Sequence, residues 1–296
     1  MKKKILIVIC TVLSLFGLKS QQISMYFPQF AGKSYDLIIF QGSEQKTLVQ
    51  GVIPSDGKFE LSIPKQDIPY TGMSRWLITG TKEGGGLDMF IPGHDFSVSC
   101  TEAMPNEKNI VYTNNAGNGE LNRLYRYQEG ILSRHRAMLL ATQSYESFSP
   151  HYTLFESELK KQKNDYNIFQ KKIRNTPDYI SNFLSIVNIT QGLGAILTDN
   201  EVERGRDIAR YISGDLNWNT LYTSGHWSSV IESWVNIHSN VLKDPSGFLK
   251  EFKSISARIP SKKLYKDFCA AVSYYLKQYE RNDYLEMMVP IESQYS

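Results

Sequence analysis

Cysteine and histidine are scarce in this chain, and the scarcity narrows the chemistry open to it. Three cysteines occur, Cys10, Cys100 and Cys269, and no two stand as C-x-x-C. The compact dithiol of a redox motif is therefore missing. The five histidines, His94, His135, His151, His226 and His238, include no H-E-x-x-H and no H-x-x-x-H. On one helix, the spacing of His226 and His238 would turn them about 120° apart, so a metal centre has no starting point in ligand spacing. No G-x-S-x-G elbow is present. Gly84-Gly85-Gly86 lacks the Gly-Lys-Ser/Thr that completes a phosphate loop, and it lies between two expected strands, where a dinucleotide fingerprint would need a strand and a helix.

A strong charge of one sign is also missing. The formal charge of +3 includes Lys2, Lys3, Lys4 and Lys19, and without those four lysines it becomes about −1. No stripe of Lys and Arg interleaved with aromatics exists, which excludes a nucleic-acid surface.

Long apolar runs are confined to residues 5–18. Lys2-Lys3-Lys4 precede this run, and Leu18-Lys19-Ser20 places a small residue before Gln21. The pattern predicts a signal peptide over 1–20, too short for a membrane span, and so an exported protein, periplasmic or envelope-associated, with no span after cleavage. Cys10 lies inside the run behind Ile7-Val8-Ile9, without the small residue wanted before a lipidated cysteine. In an oxidising compartment Cys100 and Cys269 are either a disulfide pair or two buried thiols, and spacing alone does not choose.

What is abundant is periodicity. From residue 23 to about 112 the apolar positions follow the strand period. In Lys58-Phe59-Glu60-Leu61-Ser62-Ile63, the residues Phe59, Leu61 and Ile63 share one face. Tyr35-Asp36-Leu37-Ile38-Ile39-Phe40 is more continuously apolar. Further strands are expected over 23–27, 47–53, 74–78, 87–91, 96–100 and 109–112, about eight in all. Asp56-Gly57 reads as a two-residue hairpin with Gly57 at positive φ. Glu83-Gly84-Gly85-Gly86 reads as a looser turn. Pro92-Gly93-His94-Asp95 reads as a tight corner with Asp95 in an Asx turn.

At Thr113-Asn114-Asn115-Ala116-Gly117-Asn118-Gly119 the period becomes helical. The expected fold is α+β with two domains. Residues 21–114 form an antiparallel β-sandwich or partly open barrel, and residues 115–296 form an all-α domain of about seven helices. Gly130 weakens the middle of the first helix. Thr176-Pro177-Asp178 reads as a helix start with Thr176 as N-cap. Ser224-Gly225-His226 looks like a helix entrance. Residues 227–241 form one helix, Asp244-Pro245 caps another, and Ser261 opens the last.

Few side chains remain as candidates for chemistry. Cys269, within Phe268-Cys269-Ala270-Ala271-Val272, reads as core. Glu203 and Asp207 share a helix face, but Arg204, Arg206 and Arg210 interleave with them as in ordinary surface ion pairing. Tyr125, Tyr127, Tyr222, Trp218 and Trp227 would suit a glycan or peptide platform, although aromatics at helical spacing usually belong to a core. No cofactor is implied.

Gly51-Val52-Ile53, Asp56-Gly57-Lys58-Phe59-Glu60-Leu61-Ser62-Ile63-Pro64, Phe90-Ile91-Pro92-Gly93-His94-Asp95-Phe96-Ser97-Val98 and Asn114-Asn115 carry a family resemblance. They resemble the N-terminal β-domain of Bacteroidetes-type exported thiol–disulfide oxidoreductases of the TlpA/ResA-like group, also labelled AhpC/TSA or thioredoxin-like. The likeness covers residues 22–115 and extends to the helical region by layout. It implies a signal peptide, a β-domain, a helical region and then a thioredoxin domain with C-x-x-C. No residue here matches that C-x-x-C, so no catalytic residue is carried over. The expectation is a non-catalytic exported accessory module that binds a protein or peptide, a thioredoxin-like protein being one such partner. The alternatives are thiol–disulfide redox through Cys100 and Cys269 or a partner thioredoxin, and glycan binding.

Overall fold

The computed structural model describes residues 21–82 and 84–295, with only the backbone described for 292–295. The expected signal segment, Cys10 and Glu83 lie outside the described residues. An N-terminal β region is followed by a helical one, as the periodicity predicts. The strands are β1 (Gln21–Tyr26), β2 (Ser34–Gln41), β3 (Glu44–Val52), β4 (Lys58–Ile63), β5 (Thr71–Thr79), β6 (Gly86–Pro92), β7 (Phe96–Ser99) and β8 (Val111–Thr113). They form two four-stranded sheets, ordered β4-β1-β7-β8 and β3-β2-β5-β6.

The antiparallel expectation needs one correction. β1 is antiparallel to β4 but parallel to β7, with Ile23 opposite Phe96. Parallel neighbours require a crossover, and all four strands of the second sheet lie between them in the chain. The hairpin expected at Asp56-Gly57 is also corrected, because β3 and β4 belong to different sheets. Asp56 Oδ1 instead accepts from the Lys58 N–H at 3.0 Å. Gly57, at φ 73°, turns the chain against the Pro28 backbone, where a Cβ would collide. Gly93, also at positive φ, carries the chain from β6 into the other sheet at β7.

Ile23, Met25, Leu61, Ile63, Phe96 and Val98 of the first sheet meet Leu37, Ile39, Trp76, Met89 and Ile91 of the second in one core. Burying each large side chain contributes about 1.5–3 kcal/mol. The second sheet is covered on its other face too. There Phe40, Met73 and Phe90 pack with Leu124, Ile131, Phe183 and Leu184 of the helices. A sheet buried on both faces needs continuously apolar strands, which accounts for the run at 37–40.

The helices are α1 (Ala116–Ser144), α2 (Pro150–Arg174), α3 (Tyr179–Thr190), α4 (Glu201–Gly214), α5 (Trp218–Tyr222), α6 (Trp227–Asn236), α7 (Pro245–Arg258), α8 (Lys262–Gln278) and α9 (Asn282–Tyr295). None among the described residues is long and apolar enough to cross a membrane. α1 runs unbroken through Gly130. Asp178, rather than Thr176, caps α3. Asp178 Oδ1 accepts from the Ser181 N–H at 2.9 Å, whereas Thr176 Oγ1 donates back to Lys172 O at 2.8 Å. The helix expected over 227–241 changes at Ile237 into a π-helical segment, Ile237–Leu242. Ser261 caps α8 as expected, but α9 follows it.

The two regions share a hydrogen-bonded seam. The Gly42 N–H donates to Tyr222 O at 2.8 Å and the Met73 N–H to Thr223 O at 2.9 Å. The Tyr179 hydroxyl donates to Thr223 O at 3.0 Å and accepts from the Met73 N–H at 3.1 Å. Gly72 allows this approach, because a Cβ there would press on Thr223 and the Tyr70 hydroxyl. At the junction, Asn118 Oδ1 accepts from the Phe90 N–H at 2.9 Å, and the Asn115 amide donates to Phe90 O at 2.7 Å. These two asparagines occupy the backbone edge of β6 that no strand among the described residues covers.

Candidate functional site

Two adjoining cavities, 380 Å³ and 540 Å³, open where several helices end, and they share Arg174, Asn175 and Asp215. α2 ends at Arg174 on one side. α4 ends at Gly214 on the other, and α7 closes that side with Arg258. Each wall has a local cause. Helix ends leave backbone carbonyls without partners. Arg258 supplies them by donating to Ser213 O at 3.0 Å and Leu216 O at 2.9 Å, and Ser254 Oγ donates to the same Ser213 O at 2.9 Å. Asn217 caps α5 by accepting from the Thr220 N–H at 3.0 Å, which seats Trp218 in the wall.

Arg174 lies over the Tyr211 ring, 4.3 Å from its centroid. Its Nη2 donates to Asp207 Oδ2 at 3.3 Å. The same carboxylate oxygen accepts from the Ala195 N–H at 2.5 Å, and Tyr166 Oη donates to Gly194 O at 2.9 Å. The loop ahead of α4 is thereby pinned to α2, and Arg174 is held as a fixed guanidinium on the groove wall. Arg174 Nε and Trp218 Nε1 are buried and have no acceptor among the described residues. Asn182, Asn217 and Asn219 add amides along one side, and Lys171 stands at the far end. No histidine, cysteine or serine lines either cavity among the described residues. The arrangement offers amides that both donate and accept, cationic donors and one exposed carboxylate, Asp215. It is built to hold a polar ligand.

The residues singled out from sequence are dispersed. Cys100 is buried in the sandwich core and Cys269 in the helical core, and both are thiols. Trp218, Trp227 and Trp234 are 3%, 1% and 0% exposed, so none offers a platform. Tyr125 and Tyr127 are exposed on α1, and Tyr222 is half-buried at the seam. Asp207 pairs with Arg174 of α2 rather than with the arginines of its own helix, a correction to the surface-pairing expectation. Glu203 Oε2 accepts from Thr198 Oγ1 at 2.8 Å. Asp95 makes no Asx turn; its Oδ1 accepts from the Gln22 N–H at 2.8 Å and ties β7 to β1. His94 Nδ1 lies 3.1 Å from Asp95 O in that corner.

His226 is half-buried beside Phe183, and burial depresses its pKa. His238 is buried in the π-helical segment, with Nε2 2.9 Å from Glu251 Oε2. Trp234 Nε1 donates to the same oxygen at 2.9 Å. Burial pushes the Glu251 carboxyl up, but the hydrogen bonds from His238 and Trp234 outweigh it and hold the group below the usual range. This cluster joins α6, the π segment and α7, and His238 lines neither cavity of the groove.

Sequence reading missed Arg174, Tyr211, Asp215 and Arg258. Basic residues near helix C-termini are ordinary, and nothing in their spacing shows that several separate helix ends converge. No family model, curated protein or solved structure matches the chain.

Proposed function

We propose that this chain is an exported, envelope-associated binding module without a reaction of its own, and that it takes an extended segment of a partner protein into the groove around Arg174. The observation that carries this reading is the lining itself: Asn175, Asn182, Asn217 and Asn219 beside fixed cationic donors. Side-chain amides match the alternating N–H and C=O groups of an extended backbone, and bound arginines orient a polar side chain. The apolar run at 5–18 supports export. The resemblance of the β region to the accessory domain of exported thioredoxin-like oxidoreductases supports a thioredoxin-like protein as one source of the segment. Redox chemistry through Cys100 and Cys269 gains no support, since the two thiols are buried in separate cores.

The test is fluorescence anisotropy of the purified protein with labelled peptide pools, repeated with Asn175→Trp. Asn175 is exposed on the shared wall, so a tryptophan there fills the groove without touching a core. Saturable binding that the substitution abolishes is expected. Binding unchanged by Asn175→Trp, or no binding by the parent protein, rejects the reading. Appreciable reduction of a small disulfide substrate would overturn the non-catalytic part.

A further inference from the structure

We infer that the groove selects for anionic ligands, so that the segment it receives carries a carboxylate side chain opposite Arg174; this rests on the peptide-binding reading above. Three observations converge on it. The first is charge. Lys171, Arg174 and Arg258 line the paired cavities against a single carboxylate, Asp215. Arg174 is partly answered by Asp207, while Lys171 and Arg258 take part in no ion pair among the described residues.

The second is donor surplus. Arg174 keeps a partly exposed guanidinium on the wall, its side chain 20% accessible. Only Nη2 of the Arg174 nitrogens has a protein acceptor among the described contacts. The asparagine amides donate and accept equally, so they do not choose a sign. The part-exposed Arg174 guanidinium and the cations beside it do, and they call for an acceptor.

The third is pre-organisation. Stacking on Tyr211 and the Asp207 bond fix the guanidinium before any ligand arrives. An arginine fork held in place loses little freedom when a planar carboxylate meets it. Among the side chains of an unmodified protein segment, Asp and Glu are the ones that present a carboxylate acceptor to such a fork.

The experiment compares two pools of C-terminally amidated, fluorescein-labelled heptapeptides, identical except for Glu or Gln at the centre, with the purified protein. Amidation removes the terminal carboxylate, so only the side chain differs. The Glu pool is expected to bind about tenfold or more tighter, the size of a charge-assisted hydrogen bond, and added salt should weaken that pool alone. Arg174→Gln should erase the preference. Arg174 also holds Asp207, so Asp215→Asn serves as the second variant. Asp215 is exposed, and its neutralisation should tighten the Glu pool about two- to fivefold, a gain that misfolding cannot imitate. Equal binding of the two pools, or no gain from Asp215→Asn, overturns the carboxylate inference while the groove reading stands. Binding of neither pool overturns both.

Discussion

Glu251 shows how one side chain can hold three pieces of chain together. Its Oε2 receives Trp234 Nε1 and His238 Nε2, each at 2.9 Å, from either side of the switch between α6 and the π-helical segment. A carboxyl whose folded pKa lies below the ordinary value stabilises the fold fully above about pH 4.3. That contribution is lost as pH falls through the folded pKa. Glu251→Gln keeps the shape and removes the charge. It should cost about 1–2 kcal/mol at pH 7 and nothing once the parent carboxyl is protonated. Urea-unfolding midpoints between pH 3 and 7 should therefore converge in acid.

Gln128, Gln170 and Asn188 form a closed amide network beneath α1, α2 and α3. Gln128 Nε2 donates to Asn188 Oδ1 at 2.7 Å and Gln170 Nε2 to Gln128 Oε1 at 2.9 Å. Asn188→Leu strands its partners and should cost about 2–4 kcal/mol, whereas replacing all three by leucine should cost less than the separate losses combined. Denaturant unfolding of the single and triple variants decides this. None of these residues stood out in the sequence, because a glutamine on a helix reads as surface until its partners on two other helices are known.

At the scale of elements, α1 and α2 form an antiparallel hairpin whose two halves behave differently. Near the body the hairpin buries Leu124, Ile131, Tyr166, Phe169 and Ile173. Toward the tip Leu140, Phe148 and Leu154 are exposed, Phe148 to 86%. Phe169→Ala should cost about 3–5 kcal/mol, while Phe148→Ser should shift stability by no more than about 0.5 kcal/mol. Thermal unfolding of the two variants separates these outcomes.

Element type was legible wherever one face is wet: Phe59, Leu61 and Ile63 gave β4, and the caps Asp244 and Ser261 marked α7 and α8. Pairing was not legible. Nothing local to β1 says that its neighbours are β4 and β7, and Asp56-Gly57 has hairpin chemistry whether or not its flanking strands pair. The π segment was hidden because Trp227 to Val241 keeps an apolar face throughout. The groove was hidden because no element contains it.

At the scale of the whole molecule, the two regions should unfold as one cooperative unit. The seam bonds both backbones, and Ser43 Oγ adds a 2.6 Å donation to Asp267 Oδ1. Trp76 reports on the sandwich, whereas Trp218, Trp227 and Trp234 report on the helical core. Far-UV dichroism and tryptophan emission should give one coincident transition. Gly72→Val, which forces a side chain into Thr223, should lower stability by about 1–3 kcal/mol and separate the two signals.

The seam also fixes an order of events. Tyr70 Oη reaches Thr223 O across 153 residues, and Ser43 reaches Asp267 across 224. Contacts so distant along the chain are the slow ones to form, because the loop they close must be ordered before they repay it. The sandwich precedes the helices in the chain, yet its backbone groups at Gly42 and Met73 find their partners only in Tyr222 and Thr223. Of the two regions, the one synthesised earlier should therefore be completed only by the later one, and until then its second sheet would present Phe40, Met73 and Phe90 uncovered.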